Sequence, residues 1–104
     1  MAITSNPQIQ NGAVSVGNGT RSFLNISATT AVKSTAGRVC TINVIAGGSA
    51  SGAVYDRATT SGIGTANAVA VIPSTVGTYN IDFPCANGIV VAPPAGSTIT
   101  VSFN

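Results

Sequence analysis

Two carboxylates, Asp56 and Asp82, and two thiols, Cys40 and Cys85, are the side chains in this sequence best suited to acid–base or nucleophilic chemistry. A glycosidase-type pair needs one carboxyl protonated and one ionised on opposite sides of a cleft. Asp82 falls on the polar side of an alternating segment, and Asp56 stands beside Arg57 at a strand end, so solvated or turn-stabilising roles are expected. A cysteine nucleophile needs a base, usually His, and the sequence contains no His. With so few ionisable groups, neither catalysis nor a metal or cofactor site is expected, and no small-molecule substrate.

Gly62-Ile63-Gly64-Thr65-Ala66-Asn67 resembles the start of a dinucleotide fingerprint, and Asp82 lies at the distance of a ribose-binding acid. Asn67 replaces the third glycine, however, and Pro73 truncates the helix that would hold the pyrophosphate. A loop is the better reading. Asn18-Gly19-Thr20 and Asn25-Ile26-Ser27 match the glycosylation acceptor pattern, as a chain rich in Asn, Ser and Thr does by chance. Tyr55 and Tyr79 fit core or interface positions better than a sugar-binding groove.

The elements that must carry these residues are set by composition. The chain has 104 residues, enough for one domain, and only 6% are charged against the usual quarter or so. Roughly a third is Ser, Thr and Asn. Arg21, Lys33, Arg38 and Arg57 against Asp56 and Asp82 give a net charge of +2, scattered singly. Nucleic-acid binding needs clustered positive charge and is not expected. The longest apolar runs are far too short to span a bilayer, so no membrane segment is expected. Residues Met1–Asn6 lack the basic and apolar regions of a secretory signal, which suggests a protein made and kept in a cytoplasm. Cys40 and Cys85 are accordingly expected to be reduced and buried. The alternative, an immunoglobulin-type bridge between sheets, expects a core Trp that this sequence lacks.

Period-two patterning dominates from Ser22 onward. Cys40, Ile42, Val44 and Ala46 alternate with Thr41 and Asn43; Tyr79, Ile81 and Phe83 alternate with Thr78, Asn80 and Asp82; Ile99, Val101 and Phe103 alternate with Thr98, Thr100 and Ser102. Ala53-Val54-Tyr55 reads as a short strand, and Asn87-Gly88 reads as a hairpin turn into Ile89-Val90-Val91. Ala66–Ile72 permits either a strand or a single helical turn, stopped by Pro73. Six or seven strands result. The fold class expected is all-β, an antiparallel β-sandwich of jelly-roll or Greek-key type, with Tyr79, Ile81, Phe83, Ile99, Val101 and Phe103 in one core.

Residues 1–20 read as an extended N-terminal arm, and residues 21–104 as the β-sandwich domain. The arm holds no charged side chain, and its Asn11-Gly12 and Asn18-Gly19 dipeptides favour type I′ turns. Ile3, Pro7, Ile9, Val14 and Val16 are too few to build a core of their own. They are the expected contact residues, docking onto a partner protein or an adjacent copy and ordering on binding.

Ser51-Gly52-Ala53-Val54-Tyr55-Asp56, then Ile72-Pro73, Gly77-Thr78-Tyr79-Asn80-Ile81-Asp82-Phe83-Pro84, Gly88-Ile89-Val90-Val91 and a strand ending at Phe103 form an ordered series. From about Thr30 to Asn104 this series resembles small tailed-bacteriophage virion proteins of the head decoration or cement type. The resemblance implies a β-sandwich on the capsid exterior, bound to the major capsid protein and clamping its subunits, with copies of itself as further partners. By that analogy a trimer is expected, then a dimer. The alternatives are a carbohydrate-binding or tip module of a phage tail fibre or adhesin, and a tail or neck structural component. A nearly uncharged surface suits a protein that packs in many copies, since like-charge repulsion is small.

Overall fold

The computed structural model of the chain describes residues 19–104. The expected contact residues Ile3, Pro7, Ile9, Val14 and Val16 lie outside the described residues, as does nearly all of the expected arm. The described part is all-β: β1 (Arg21–Ile26), β2 (Thr30–Lys33), β3 (Gly37–Ala46), β4 (Gly52–Tyr55), β5 (Ala68–Ile72), β6 (Gly77–Cys85), β7 (Ile89–Ala92) and β8 (Thr98–Phe103). Two antiparallel four-stranded sheets form, in the orders β1-β8-β3-β6 and β2-β7-β4-β5.

Among the eight strands, β4 and β5 are the one consecutive pair that shares a sheet. Every other connection passes from one sheet to the other. This corrects the reading of Asn87-Gly88 as a hairpin turn, because β6 and β7 belong to different sheets. Gly88 shows no positive φ. Its glycine is needed for close approach instead: a Cβ there would stand 2.5 Å from the Arg57 carbonyl oxygen and 2.7 Å from that of Lys33.

The core lies between the sheets. Ile42, Val44, Ile99, Val101 and Phe103 from the first sheet meet Val54, Ile72, Ile89 and Val91 from the second. Strand β8 keeps strict alternation, with Ile99, Val101 and Phe103 buried and Thr98, Thr100 and Ser102 half-exposed, so its threonines and serine face outward. The ambiguous Ala66–Ile72 segment resolves into both forms, a 3₁₀ turn at Thr65–Asn67 followed by β5, whose β-branched Val69, Val71 and Ile72 favour extension.

The ladder of the first sheet widens from β8 to β6. Between the Ile42 and Val39 rungs run three residues of β8 (Val101 to Phe103), four of β3 (Val39 to Ile42) and five of β6 (Tyr79 to Phe83). Extra residues of this kind bend and twist a strand. In β6 the irregularity coincides with Asp82, which sits at φ 50°, a left-handed conformation Asp tolerates better than most side chains. Arg38 on the neighbouring strand pairs with the Asp82 carboxylate and ties the bulge down.

Phe83 departs from expectation. Its rung partner is Val39, so it lies on the core-side face, yet β6 is an edge strand and Phe83 is left 45% exposed. Phe23 mirrors it at the other edge: opposite Val101, on the core-side face of β1, and 39% exposed. Tyr79 and Ile81 pack against the core but remain half-buried. The two cysteines are unbonded and buried, as expected.

Candidate functional interface

Most of the charge in this molecule is committed to its own fold. Asp56, at the end of β4, accepts the backbone N–H groups of Ala86 at 3.1 Å, Asn87 at 2.8 Å and Gly88 at 3.4 Å, fixing the crossing from β6 to β7. Burial alone would raise its carboxyl, but the donors of Asn87, Ala86 and Gly88 outweigh this and hold it below the ordinary carboxylate value. Arg57 donates through Nε and Nη2 to the Ser61 carbonyl at 3.2 and 2.8 Å. Lys33 Nζ donates to the Asn104 carbonyl at 3.1 Å. With Arg38 and Asp82 paired, Arg21 is the charged side chain left over among the described residues, exposed on the edge strand β1.

The residues with chemical potential in the sequence thus have structural duties. Asn67, which breaks the dinucleotide-like pattern, closes that loop: its Oδ1 accepts the Gly64 N–H at 3.0 Å and its Nδ2 donates to the Gly62 carbonyl at 3.0 Å. Burial pushes the Cys40 thiol up, with the nearby Asp82 charge adding and Arg38 opposing. Burial, joined by the Asp56 charge, pushes Cys85 up to about 11. Among the described residues no three His, Cys, Asp or Glu side chains come together as a metal site, and no helix is long and apolar enough to cross a membrane.

What remains is the outer face of the first sheet. Thr41 and Asn43 of β3 stand opposite Asn80 and Thr78 of β6, and opposite Ser102 and Thr100 of β8. Bonds cross the strands here: the Thr41 backbone N–H donates to Ser102 Oγ at 3.1 Å, and Thr41 Oγ1 donates to Asn80 Oδ1 at 3.5 Å. Thr41, Asn43, Thr78 and Ser102 line an open depression of about 370 Å³. Asn43 Oδ1 is buried there with no hydrogen-bond partner among the described residues.

Apolar side chains border this uncharged field. Leu24 is 65% exposed, and its neighbour Phe23 faces the core, so Leu24 faces outward on β1. At the far end, Ile45 and Val76 are the next residues beyond the last rung, Val44–Gly77, and both are exposed. Tyr79 takes no part in the face; its hydroxyl donates to the Thr75 carbonyl at 2.7 Å. Sequence reading missed this surface because none of its residues is reactive. The available signal was the run of Thr, Ser and Asn at alternate positions of three strands.

No protein-family model, no curated protein and no solved structure matches this chain.

Proposed function

We propose that this protein is a structural virion component, a capsid decoration or cement protein that binds the outer surface of a phage head and braces contacts between capsid subunits. The observation that carries the reading is the outer face of the first sheet. It presents hydroxyls, amides and apolar Leu24, Ile45 and Val76, while Lys33, Arg38, Asp56, Arg57 and Asp82 are engaged in bonds within the domain. Such a face docks without the desolvation cost of stripping ions, and its hydroxyls and amides can bond backbone or side chains of any partner. The partners are the major capsid protein and further copies of this chain, in the virion after synthesis in a host cytoplasm. No catalytic step is assigned.

The strand orders β1-β8-β3-β6 and β2-β7-β4-β5 fit a jelly roll, two interleaved Greek keys, an architecture used by viral capsid and lectin domains alike. The fold alone therefore does not choose between the two. A second reading, a carbohydrate-binding or tip module of a tail fibre or adhesin, or a tail or neck component, draws on the depression beside Asn43. Its lining of Thr41, Asn43, Thr78 and Ser102 offers hydroxyls and an amide but no aromatic face on which a sugar ring could stack.

Residues 1–18 supply the attachment arm in this reading, with Ile3, Pro7, Ile9, Val14 and Val16 as its anchors. Co-sedimentation with undecorated heads tests it: the full chain should bind in saturable, stoichiometric amounts, and a chain lacking residues 1–18 should stay folded but be lost from the pellet. Failure of the full chain to pellet with heads would overturn the proposal.

A further inference from the structure

We propose that β1 is a pairing edge for a second copy of this chain, joined antiparallel so that the two Phe23 side chains meet across a two-fold axis. This inference goes beyond the head-surface reading and stands or falls without it.

Among the described residues the two sheets have four edge strands, and three are protected. Strand β6 carries the Asp82 bulge, the Arg38–Asp82 pair and Pro84, which has no N–H to donate. Strand β2 is four residues long, bulged, and ends in Lys33. Strand β5 is five residues long, confined between the 3₁₀ turn and Pro73. Short length, bulges, proline and charge are the ordinary means of blocking edge-to-edge association. Strand β1 begins with Arg21 and its register shifts between Phe23 and Ile26, but Ser22–Leu24 carries no proline and no charge, and it exposes Phe23 on one face and Leu24 on the other.

Its backbone groups without a partner among the described residues can be assigned. Asn104 exchanges both backbone bonds with Arg38 of β3, at 2.9 and 3.4 Å, so Phe103 points the other way, toward β1. Arg21 and Phe23, opposite Phe103 and Val101, therefore bond β8, and the N–H and C=O groups of Ser22 and Leu24 face the open side. A two-residue hairpin at Asn18-Gly19 would close through the Thr20 N–H. That N–H is donated instead to the Phe103 carbonyl at 3.1 Å and to Asn104 Oδ1 at 2.9 Å, which is not the bond such a hairpin would make.

Charge and side-chain pattern select the occupant and the register. With Phe23 opposite Phe23 of the second copy, Ser22 and Leu24 exchange backbone bonds and Arg21 stands across from Asn25 rather than from its own image, so no like charges face each other. The two phenylalanines form a pair where the strands approach most closely, on the side that each domain leaves uncovered. Asn25, at φ 59°, ends the pairing segment.

Sedimentation equilibrium of the full chain, without any capsid, should show a monomer–dimer equilibrium in the micromolar range. Ser22→Pro removes an outward donor while leaving the β8 bonds intact, and the double variant Ser22→Lys/Leu24→Lys places charge on two exposed positions. Each should weaken the dimer by about tenfold or more with an unchanged circular dichroism spectrum. With oxidised glutathione, Phe23→Cys should form an interchain disulfide and Ser22→Cys should not. A chain that is monomeric throughout, an oligomer that both edge variants leave intact, or equal cross-linking at positions 22 and 23 would overturn the proposal. Loss of the dimer on deleting residues 1–17 would assign the edge to the N-terminal segment and overturn it too.

Discussion

Asp56 Oδ1 accepts the backbone N–H of Asn87 at 2.8 Å across 31 residues of sequence, joining the end of β4 to the crossing between the two sheets. The carboxylate gathers two further N–H groups, those of Ala86 and Gly88. Replacing Asp56 by Ala strands those donors, and chemical denaturation at neutral pH should show a loss of about 1–2 kcal/mol, the scale of charge-assisted bonds that keep some solvent access.

The same contact sets a pH dependence. The folded carboxyl is held below its ordinary value, so its stabilisation is present above the unfolded pKa of about 3.9 and is lost as pH falls through the lower folded value. The stability difference between wild type and Asp56→Ala should be flat from neutral pH down to about 5 and then shrink toward zero. A difference that persists unchanged at the acid end would mean that the bonds do not depend on ionisation.

Both thiols should be silent in the native state. Burial raises Cys40 from its ordinary 9.0 and takes Cys85 to about 11, so neither presents a thiolate at neutral pH. An aromatic disulfide reagent should titrate neither in the folded protein and both in denaturant. Because the folded values are raised, the neutral thiols' contribution to stability is complete below the unfolded pKa and is lost as pH rises toward the folded value of about 11.

Phe103 on the central strand β8 and Phe83 on the edge strand β6 should respond differently to truncation. Phe103 is buried at 6% exposure and belongs to the core, so Phe103→Ala should cost roughly 3–5 kcal/mol. Phe83 overhangs the β6 edge, and Phe83→Ala should cost only about 1–2 kcal/mol. Equal costs, measured by urea unfolding, would contradict the edge placement of Phe83.

Much of this fold was legible because alternation is a local property. Strands β6 and β8 announce themselves in Tyr79–Phe83 and Ile99–Phe103, and the inward residues of β8 are the ones buried. Strands β1 and β2 were not legible: β1 is exposed at its first five positions, so no buried face imposes a pattern, and β2 is four residues long. Asn87-Gly88 carried a turn signal whose true cause, backbone crowding from Lys33 and Arg57, is tertiary. Phe83 had the right face but the wrong burial, since periodicity cannot say which strand lies at an edge. The outer face of Thr41, Asn43, Thr78 and Ser102 was written in the sequence as polar alternation, but its depression arises only when β3, β6 and β8 stand side by side.

The proposed role at the head surface depends on abundance. Quantitative mass spectrometry of purified particles, with the major capsid protein as internal reference, measures it directly. A copy number comparable to that of the capsid protein is the expected result. Absence from the particle, or a handful of copies as for a fibre tip or neck component, would contradict it.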